Sequence, residues 1–237
     1  MFIKKIGLIS LIFILFCSFN INCYADMVPQ SKKVLYLTFD DGPSIIIDEI
    51  LTALKQCDVK ATFFVVGKEI IGREPTLKRI YDEGHSIGLH TYSHNFKKIY
   101  KDNSTFIDEM LNTKALVERV TGASTNIIRF PGGTSGHLTE GMLNLLHENN
   151  FKIYDWNVSL EDGVNPSLSE EQLFKNASKC KSCEKSIILL MHCNSNNLNT
   201  AKAIPSIVKF YRDKGYDILP ITDSTPEYFY RINKQGT

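Results

Sequence analysis

Short apolar runs alternate along the chain with longer stretches in which apolar residues recur every three or four positions. The runs are rich in β-branched and aromatic residues and predict strands, whereas the longer stretches predict amphipathic helices. The predicted strands cover residues 34–38, 61–66, 86–90, 126–130, 152–156, 187–192 and 216–220. The predicted helices cover residues 45–55, 74–83, 105–121, 139–149, 169–178 and 200–214.

Strand–helix alternation of this kind is typical of parallel strands joined by right-handed crossovers. Seven such strands predict an α/β fold, a distorted (β/α) barrel related to the eight-stranded one. An open, doubly wound sheet is the alternative. No internal repeat or linker divides the chain, so residues 26–237 are predicted to form one domain.

Residues 1–25 follow a different pattern. Lys4 and Lys5 precede an apolar stretch that runs from Ile6 to about Phe19, and the small residue Ala25 ends the segment. This order predicts a secretory signal peptide. The apolar stretch is short for a membrane span, which needs roughly 20 residues, but an uncleaved anchor remains the alternative. The protein is therefore expected outside the cytoplasm, secreted or attached to the wall or membrane.

The charge balance limits the choice of partners. The formal net charge is +1, and removal of the signal segment would make it slightly negative. Without a basic surplus, electrostatic binding of nucleic acid or of an anionic membrane is not expected. The sequence implies no protein partner, so a monomer is predicted.

Four cysteines lie beyond the signal segment: Cys57, Cys180, Cys183 and Cys193. In an exported protein, Cys180 and Cys183 could close a small disulfide loop. A zinc pair is the weaker alternative, since no second Cys-x-x-Cys completes a tetrahedral site. Free thiols remain the third alternative.

Chemically reactive side chains gather at the predicted carboxyl ends of the strands. Asp40 and Asp41 follow the first strand, and His90 and His94 end the third. The carboxyl ends of parallel strands in such a barrel open on one face, so these side chains are expected to converge. Further strand ends carry Arg129, Trp156, Asp162 and His192.

Two adjacent carboxylates at a strand end repel each other unless a cation neutralises them, although a plain Asp-Gly turn would use the same residues. On a helical turn, the four-residue spacing of His90 and His94 would place both imidazoles on one side. Two histidines and one carboxylate leave coordination positions open for water, as in catalytic metal sites. Zn²⁺ suits these ligands, with Co²⁺, Ni²⁺ or Fe²⁺ as rivals. A coincidental surface pair of histidines is the alternative.

Five segments resemble, in order, the motifs of the polysaccharide deacetylases, carbohydrate esterase family 4. The resemblance covers essentially all of the chain after the signal. It implies a distorted (β/α) barrel and metal-dependent removal of N- or O-acetyl groups from glycans. The segments are Thr38-Phe-Asp-Asp-Gly-Pro43, His90-Thr-Tyr-Ser-His94, Arg129-Phe-Pro-Gly-Gly133, the stretch from Trp156 to Asp162, and Leu190-Met-His192.

The same resemblance implies roles for single residues. Asp40 resembles the catalytic base, and Asp41 resembles the metal ligand that His90 and His94 complete. Arg129 resembles the arginine that holds the base.

On the opposite side of the expected site, His192 resembles the catalytic acid and Asp162 the carboxylate that orients it. Leu190 resembles the residue that lines the pocket for the acetyl methyl group. Pro131 and Trp156 are candidate substrate contacts, with core packing as the alternative for Trp156.

Two positions depart from the family pattern. Gly132 stands where the family often has tyrosine, although its backbone N–H can still donate to an oxyanion. Gly163 stands where the family usually has tryptophan, which leaves the wall of the groove and the glycan preference open.

These features together predict a metal-dependent N-deacetylase acting on peptidoglycan amino sugars. Its rivals among enzymes are a chitooligosaccharide deacetylase and an esterase that removes O-acetyl groups from xylan. A glycan-binding protein without catalysis is the alternative from another class. The complete set of acid, base and metal-ligand residues argues against a pure binder, which has no use for them.

Overall fold

The computed structural model describes residues 32–179 and 185–232. They belong to one compact unit that begins at Lys32. The predicted signal segment and the cysteine pair Cys180 and Cys183 lie outside the described residues. Within the described ranges, no helix combines the length and the apolar character needed to cross a membrane.

The strands of the described chain form a single parallel sheet. They are β1 (Lys33–Gly42), β2 (Thr62–Val65), β3 (Ser86–Leu89), β4 (Ile127–Ile128), β5 (Lys152–Ile153), β6 (Val158–Ser159), β7 (Ser186–His192) and β8 (Tyr216–Ile218).

The strand order is β5-β4-β3-β2-β1-β7-β6, with β8 paired to the start of β1. Strands β1 to β5 follow one another in chain order, and β7 returns to the other side of β1. This is the cyclic order of a barrel in which β5 and β6 are not paired with each other. A doubly wound sheet would instead reverse direction at its centre. The predicted distorted (β/α) barrel is therefore confirmed, and the alternative, an open doubly wound sheet, is wrong.

Helices connect the strands. They are α1 (Ile47–Gln56), α2 (Gly67–Ile70), α3 (Glu74–Asp82), α4 (Phe96–Ile99), α5 (Asn103–Thr121), α6 (Glu140–Glu148), α7 (Glu170–Ala177) and α8 (Leu198–Asp213). The six predicted helices and seven predicted strands are present, with bounds that differ by a few residues. The sequence pattern missed β6, α2 and α4, which are too short to show a period.

Polar side chains fix where several helices begin. Ser169 and Gln172 form a reciprocal capping box at the start of α7. The side chains of Asp102 and Thr139 accept backbone N–H bonds at the starts of α5 and α6. Such caps satisfy N–H groups that the first helical turn leaves unpaired.

Alternation along β1 separates two apolar clusters. Leu35, Leu37 and Phe39 belong to the large cluster that includes the surrounding helices. Tyr36 belongs to a smaller cluster inside the barrel. This cluster also contains Phe64, Ile127, Tyr154 and Ile188. Because side chains alternate along a strand, the residues that continue the inner row lie at the barrel mouth.

Candidate active site

The inner rows of four strands end in the residues that the motifs singled out. In β1 the inner row continues from Tyr36 to Thr38 and then to Asp40, at steps of two residues. Asp40 is 3% exposed. Asp40 lies opposite His192 in the pairing of β1 with β7. By the same alternation, Arg129 continues the inner row of β4. A two-residue period thus brings groups that are distant in sequence to one opening.

Asp41 breaks the alternation of β1. Its φ is 71°, and the pairing with β2 shifts register between Asp40 and Gly42. A bulge of this kind aims a side chain away from its expected face. Asp41 is consequently able to face the same opening as Asp40, although the two are neighbours in sequence.

A three-residue cluster at this opening could hold a metal ion. Asp41 Oδ1 lies 3.2 Å from His94 Nε2 and 3.6 Å from His90 Nε2. Ligand atoms at about 2.1 Å from a tetrahedral ion would be separated by about 3.4 Å. The donor set and its spacing therefore fit a divalent ion such as Zn²⁺. These residues are the only such cluster of three or more found in the described part of the chain.

The turn that carries the two histidines is not helical. Residues 90–95 lie between β3 and α4, and Thr91 and His94 have φ values of 64° and 51°. The premise that His90 and His94 share a helical turn is therefore wrong, although their imidazoles do converge. Left-handed backbone at two non-glycine residues is costly and needs support from its surroundings.

Glu109 of α5 supplies that support, and the sequence analysis missed it. Its buried carboxylate accepts hydrogen bonds from the backbone N–H groups of Tyr92 and Ser93 at 2.9 and 2.6 Å. Lys98 Nζ pairs with its other oxygen at 2.7 Å. Burial alone would raise the pKa of Glu109, but the bonds from Lys98 and Ser93 outweigh it and lower the pKa. The sequence feature that could have identified this residue is a glutamate on the buried face of the α5 helix.

A backbone contact fixes the orientation of His90. Its Nδ1 lies 2.9 Å from the carbonyl oxygen of Arg129, which can only accept. The neutral ring must then carry its proton on Nδ1 and present the Nε2 lone pair to the cluster. Metal-binding histidines are commonly oriented by such a second contact.

Asn194, in the loop after β7, is another residue that the sequence analysis missed. Its Nδ2 donates to Asp41 Oδ2 at 2.9 Å, which leaves Oδ1 for the histidines. Burial tends to raise the pKa of Asp41, but the charges of His90, His94 and His192 and the Asn194 bond lower it overall. A polar residue in a loop without a spacing pattern gave no sequence signal.

Arg129 is fully buried and every nitrogen of its guanidinium has a partner. Nη1 donates to Asp40 Oδ1 at 2.8 Å and to Thr38 Oγ1 at 2.7 Å. Nε and Nη2 donate to the carbonyl oxygens of Tyr154 and Asp155 at 2.7 and 3.2 Å. A buried charge is tolerated only when it is paired and hydrogen-bonded in this way. Asp40 is thereby held by one oxygen while the other remains available.

His192 and Asp162 form a second pair across the opening. His192 Nδ1 lies 2.9 Å from Asp162 Oδ1, and the His192 backbone N–H donates to Oδ2 at 2.9 Å. Burial would lower the pKa of His192. The hydrogen bond and charge of Asp162, together with the charges of Asp40 and Asp41, outweigh it and raise the pKa to about 9.

The candidate substrate contacts occupy the rim. Leu190 is buried and pairs with Thr38 in register. Gly132 is exposed, with φ at 76°, and a Cβ there would lie 3.2 Å from the ring of Phe96. Phe96 in turn packs edge-on against His94, with ring centroids 5.5 Å apart. Gly132 therefore lies close to Phe96, which contacts His94 of the metal-ligand cluster.

Two further predicted contacts are held mainly by packing. Pro131 is buried, and its carbonyl oxygen accepts a hydrogen bond from the hydroxyl of Tyr100 at 2.6 Å. Trp156 is half-buried and packs edge-on against Tyr230, with ring centroids 5.7 Å apart. Their contact with a substrate remains a prediction.

Comparison with known proteins gives a consistent result. Residues 27–154 match the family model described as polysaccharide deacetylase. A peptidoglycan-N-acetylglucosamine deacetylase of Bacillus cereus is 35% identical over 196 residues, which cover 79% of this chain and 69% of that protein.

Solved structures share the fold. The polysaccharide deacetylase Bc1974 from Bacillus cereus has a TM-score of 0.75 at 32% identity, over 85% of this chain and 97% of that one. The catalytic domain of the peptidoglycan N-acetylglucosamine deacetylase from Eubacterium rectale has a TM-score of 0.77 at 29% identity, over 90% and 99%.

Proposed function

This chain belongs to the polysaccharide deacetylase family, and we propose that it removes N-acetyl groups from peptidoglycan amino sugars and releases acetate. One observation carries the proposal. A metal-ligand cluster, an aspartate held by a buried arginine and a histidine held by an aspartate converge at one barrel mouth. The names of the relatives support peptidoglycan as the substrate.

Asp41, His90 and His94 are the residues that would hold the ion, and Zn²⁺ fits their nitrogen and carboxylate donors best, with Co²⁺ or Ni²⁺ as alternatives. When bound there, such an ion supplies Lewis acidity, which polarises an acetyl carbonyl and makes a nearby water easier to deprotonate. The rest of the chemistry belongs to side chains of this chain.

Asp40 is the proposed general base. Its Oδ1 is engaged by Arg129, whereas Oδ2 lies 3.6 Å from His90 Nε2 and so faces the metal-ligand cluster. Oδ2 is the atom that would accept the proton of the attacking water. Arg129 holds the carboxylate in place and balances its charge without occupying that oxygen.

His192 is the proposed general acid on the other side. With a pKa of about 9 it is protonated at neutral pH and can deliver a proton to the departing nitrogen. The backbone N–H of Gly132 is the proposed donor to the oxyanion, and removal of one such donor typically costs about 3–4 kcal/mol. Leu190 would contact the acetyl methyl group, and Pro131 and Trp156 the sugar.

The decisive experiment measures acetate released from peptidoglycan, chitin oligomers and acetylxylan by protein that is chelated and then reloaded with Zn²⁺. We expect release from peptidoglycan that chelation abolishes and Zn²⁺ restores. Release from acetylxylan alone would indicate the O-acetyl esterase. Binding of peptidoglycan without acetate release from any of the three substrates by the metal-loaded protein would indicate a glycan-binding protein.

Asp162→Asn is expected to move the alkaline limb of the pH–rate profile to lower pH. The hydrogen bond and charge of Asp162 are the largest contributions that oppose burial and raise the pKa of His192 to about 9, so the acid form is present below that pH and is lost above it. Without the carboxylate charge, the pKa of His192 falls and activity is lost at a lower pH. The measurement is kcat/KM against pH.

Glu161→Gln is the matched control, because it removes an equal charge from the neighbouring, exposed position. The alkaline limb of the pH–rate profile of Glu161→Gln is expected to lie at the same pH as that of the wild type. An unchanged limb in Asp162→Asn would show that His192 is not the acid that this limb reports.

We also propose that residues 1–25 direct export and that residues 26–237 form the catalytic domain, since peptidoglycan lies outside the cytoplasm. The N-terminal residue of the mature protein distinguishes cleavage near Ala25 from anchoring. The proposed base, acid and metal ligands all come from one chain, which supports a monomer that needs no protein partner.

A further inference from the structure

Gly163 has no side chain at a point where His192 needs the space. A Cβ built at position 163 would lie 2.3 Å from His192 Cε1, 2.5 Å from Nε2 and 2.7 Å from Nδ1. Real Cβ atoms do not approach other heavy atoms this closely. We propose that Gly163 is a positioning residue, whose missing side chain is the socket in which the imidazole of His192 sits.

The backbone does not explain a glycine at this position. The φ of Gly163 is not positive, so any L residue could adopt its backbone conformation. Gly132 differs, since its φ of 76° itself favours glycine. At Gly163 the nearest obstacle to a side chain is the ring of His192, to which the three atoms closest to a Cβ all belong.

Asp162 cannot follow the ring if the ring is displaced. Its Oδ2 accepts from Thr200 Oγ1 at 2.7 Å and from the His192 backbone N–H at 2.9 Å. Its carbonyl oxygen accepts from Asn197 Nδ2 at 3.0 Å. A ring pushed away from Gly163 would therefore leave Asp162 Oδ1 behind and lose their hydrogen bond.

The loop around Gly163 is also held from both sides. Asn176 Nδ2 donates to the carbonyl oxygen of Leu160 at 2.9 Å. The backbone N–H of Asn165 donates to the carbonyl oxygen of Glu161 at 3.0 Å. Moving the loop outward would break these bonds and the Asn197 bond together. Rotation of one side chain end is the smaller change, so the ring is the part that yields.

Gly163→Ala in the Zn²⁺-loaded protein tests this proposal. We expect kcat to fall about 10- to 100-fold, the range for misplacing a catalytic group by about an ångström, with KM changing less. The NMR titration midpoint of the His192 imidazole should fall, because the Asp162 bond is lost. Gly141→Ala is the matched control, since a Cβ at that exposed helical position meets nothing within 4 Å.

Combination with His192→Ala shows whether the effect passes through the ring. With the imidazole removed, Gly163→Ala should cause no further loss of activity. Equal losses with and without His192, or an unchanged midpoint in Gly163→Ala, would overturn the proposal. So would a large fall in melting temperature confined to Gly163→Ala, because the backbone rather than the ring would then have yielded.

The consequence for catalysis rests on the proposed function, but the imidazole titration does not. If the protein released no acetate, a lowered His192 midpoint in Gly163→Ala would still establish the socket. If it released acetate with the midpoint unchanged, the socket alone would be wrong.

Discussion

Asp40→Asn is expected to lower acetate release by about 10²- to 10⁴-fold, the usual contribution of a general base, while the protein keeps its divalent ion. Asparagine can still accept the Arg129 bond through its oxygen, so the local geometry is retained. Its amide nitrogen would replace the oxygen that faces the metal-ligand cluster, and an amide cannot take up the proton of water. Steady-state kinetics and metal content are measured on the same sample.

Asp41→Asn gives the contrasting result. It weakens a metal ligand instead of the base, so metal content and activity should fall together, and excess Zn²⁺ should restore part of both. Asp40→Asn should not respond to added Zn²⁺. Full turnover by Asp40→Asn with its ion bound would show that the base lies elsewhere.

The convergence of these residues could be predicted because it depends on local properties. Apolar alternation locates the end of β1, and the parallel strand order puts that end on the same face of the barrel as the ends of β3 and β7. The bulge at Asp41 could not be predicted, since it arises from the pairing of β1 with β2. Without it, simple alternation would place Asp40 and Asp41 on opposite faces.

The supporting contacts escaped sequence analysis for a different reason. Glu109 lies 16 residues after Ser93 along the chain, and Asn194 lies 153 residues after Asp41. Neither separation follows a helical or strand period, so only the folded chain pairs them. The left-handed turn between His90 and His94 could not be predicted for the same reason, because the Glu109 bonds that support it are not local.

Arg129 shows where the family resemblance adds to physical reasoning. A lone arginine after a predicted strand could equally be a surface residue, and only the motif implied its role. The structure buries it fully against Asp40, in the inner row of the barrel. Such burial implies that the same contact contributes to both folding and catalysis.

Arg129→Met is accordingly expected to destabilise the protein by about 3–5 kcal/mol and to abolish activity, because it leaves the charge of Asp40 buried and unpaired. Denaturant unfolding measures the stability. Arg79→Met is the matched control: Arg79 forms exposed ion pairs with Glu83 and Asp48, and pairs of that kind typically contribute about 0–1 kcal/mol.

The double variant Arg129→Met with Asp40→Asn separates the two effects. It removes both charges, so it should recover part of the stability lost in Arg129→Met, while activity stays absent because the base is gone. Additive losses of stability would mean that Arg129 and Asp40 do not act as a pair. Since the two side chains are 2.8 Å apart and both buried, we expect their effects on the free energy of unfolding to be strongly coupled. Catalysis requires the buried charge of Asp40, and the fold then requires Arg129 to neutralise that charge.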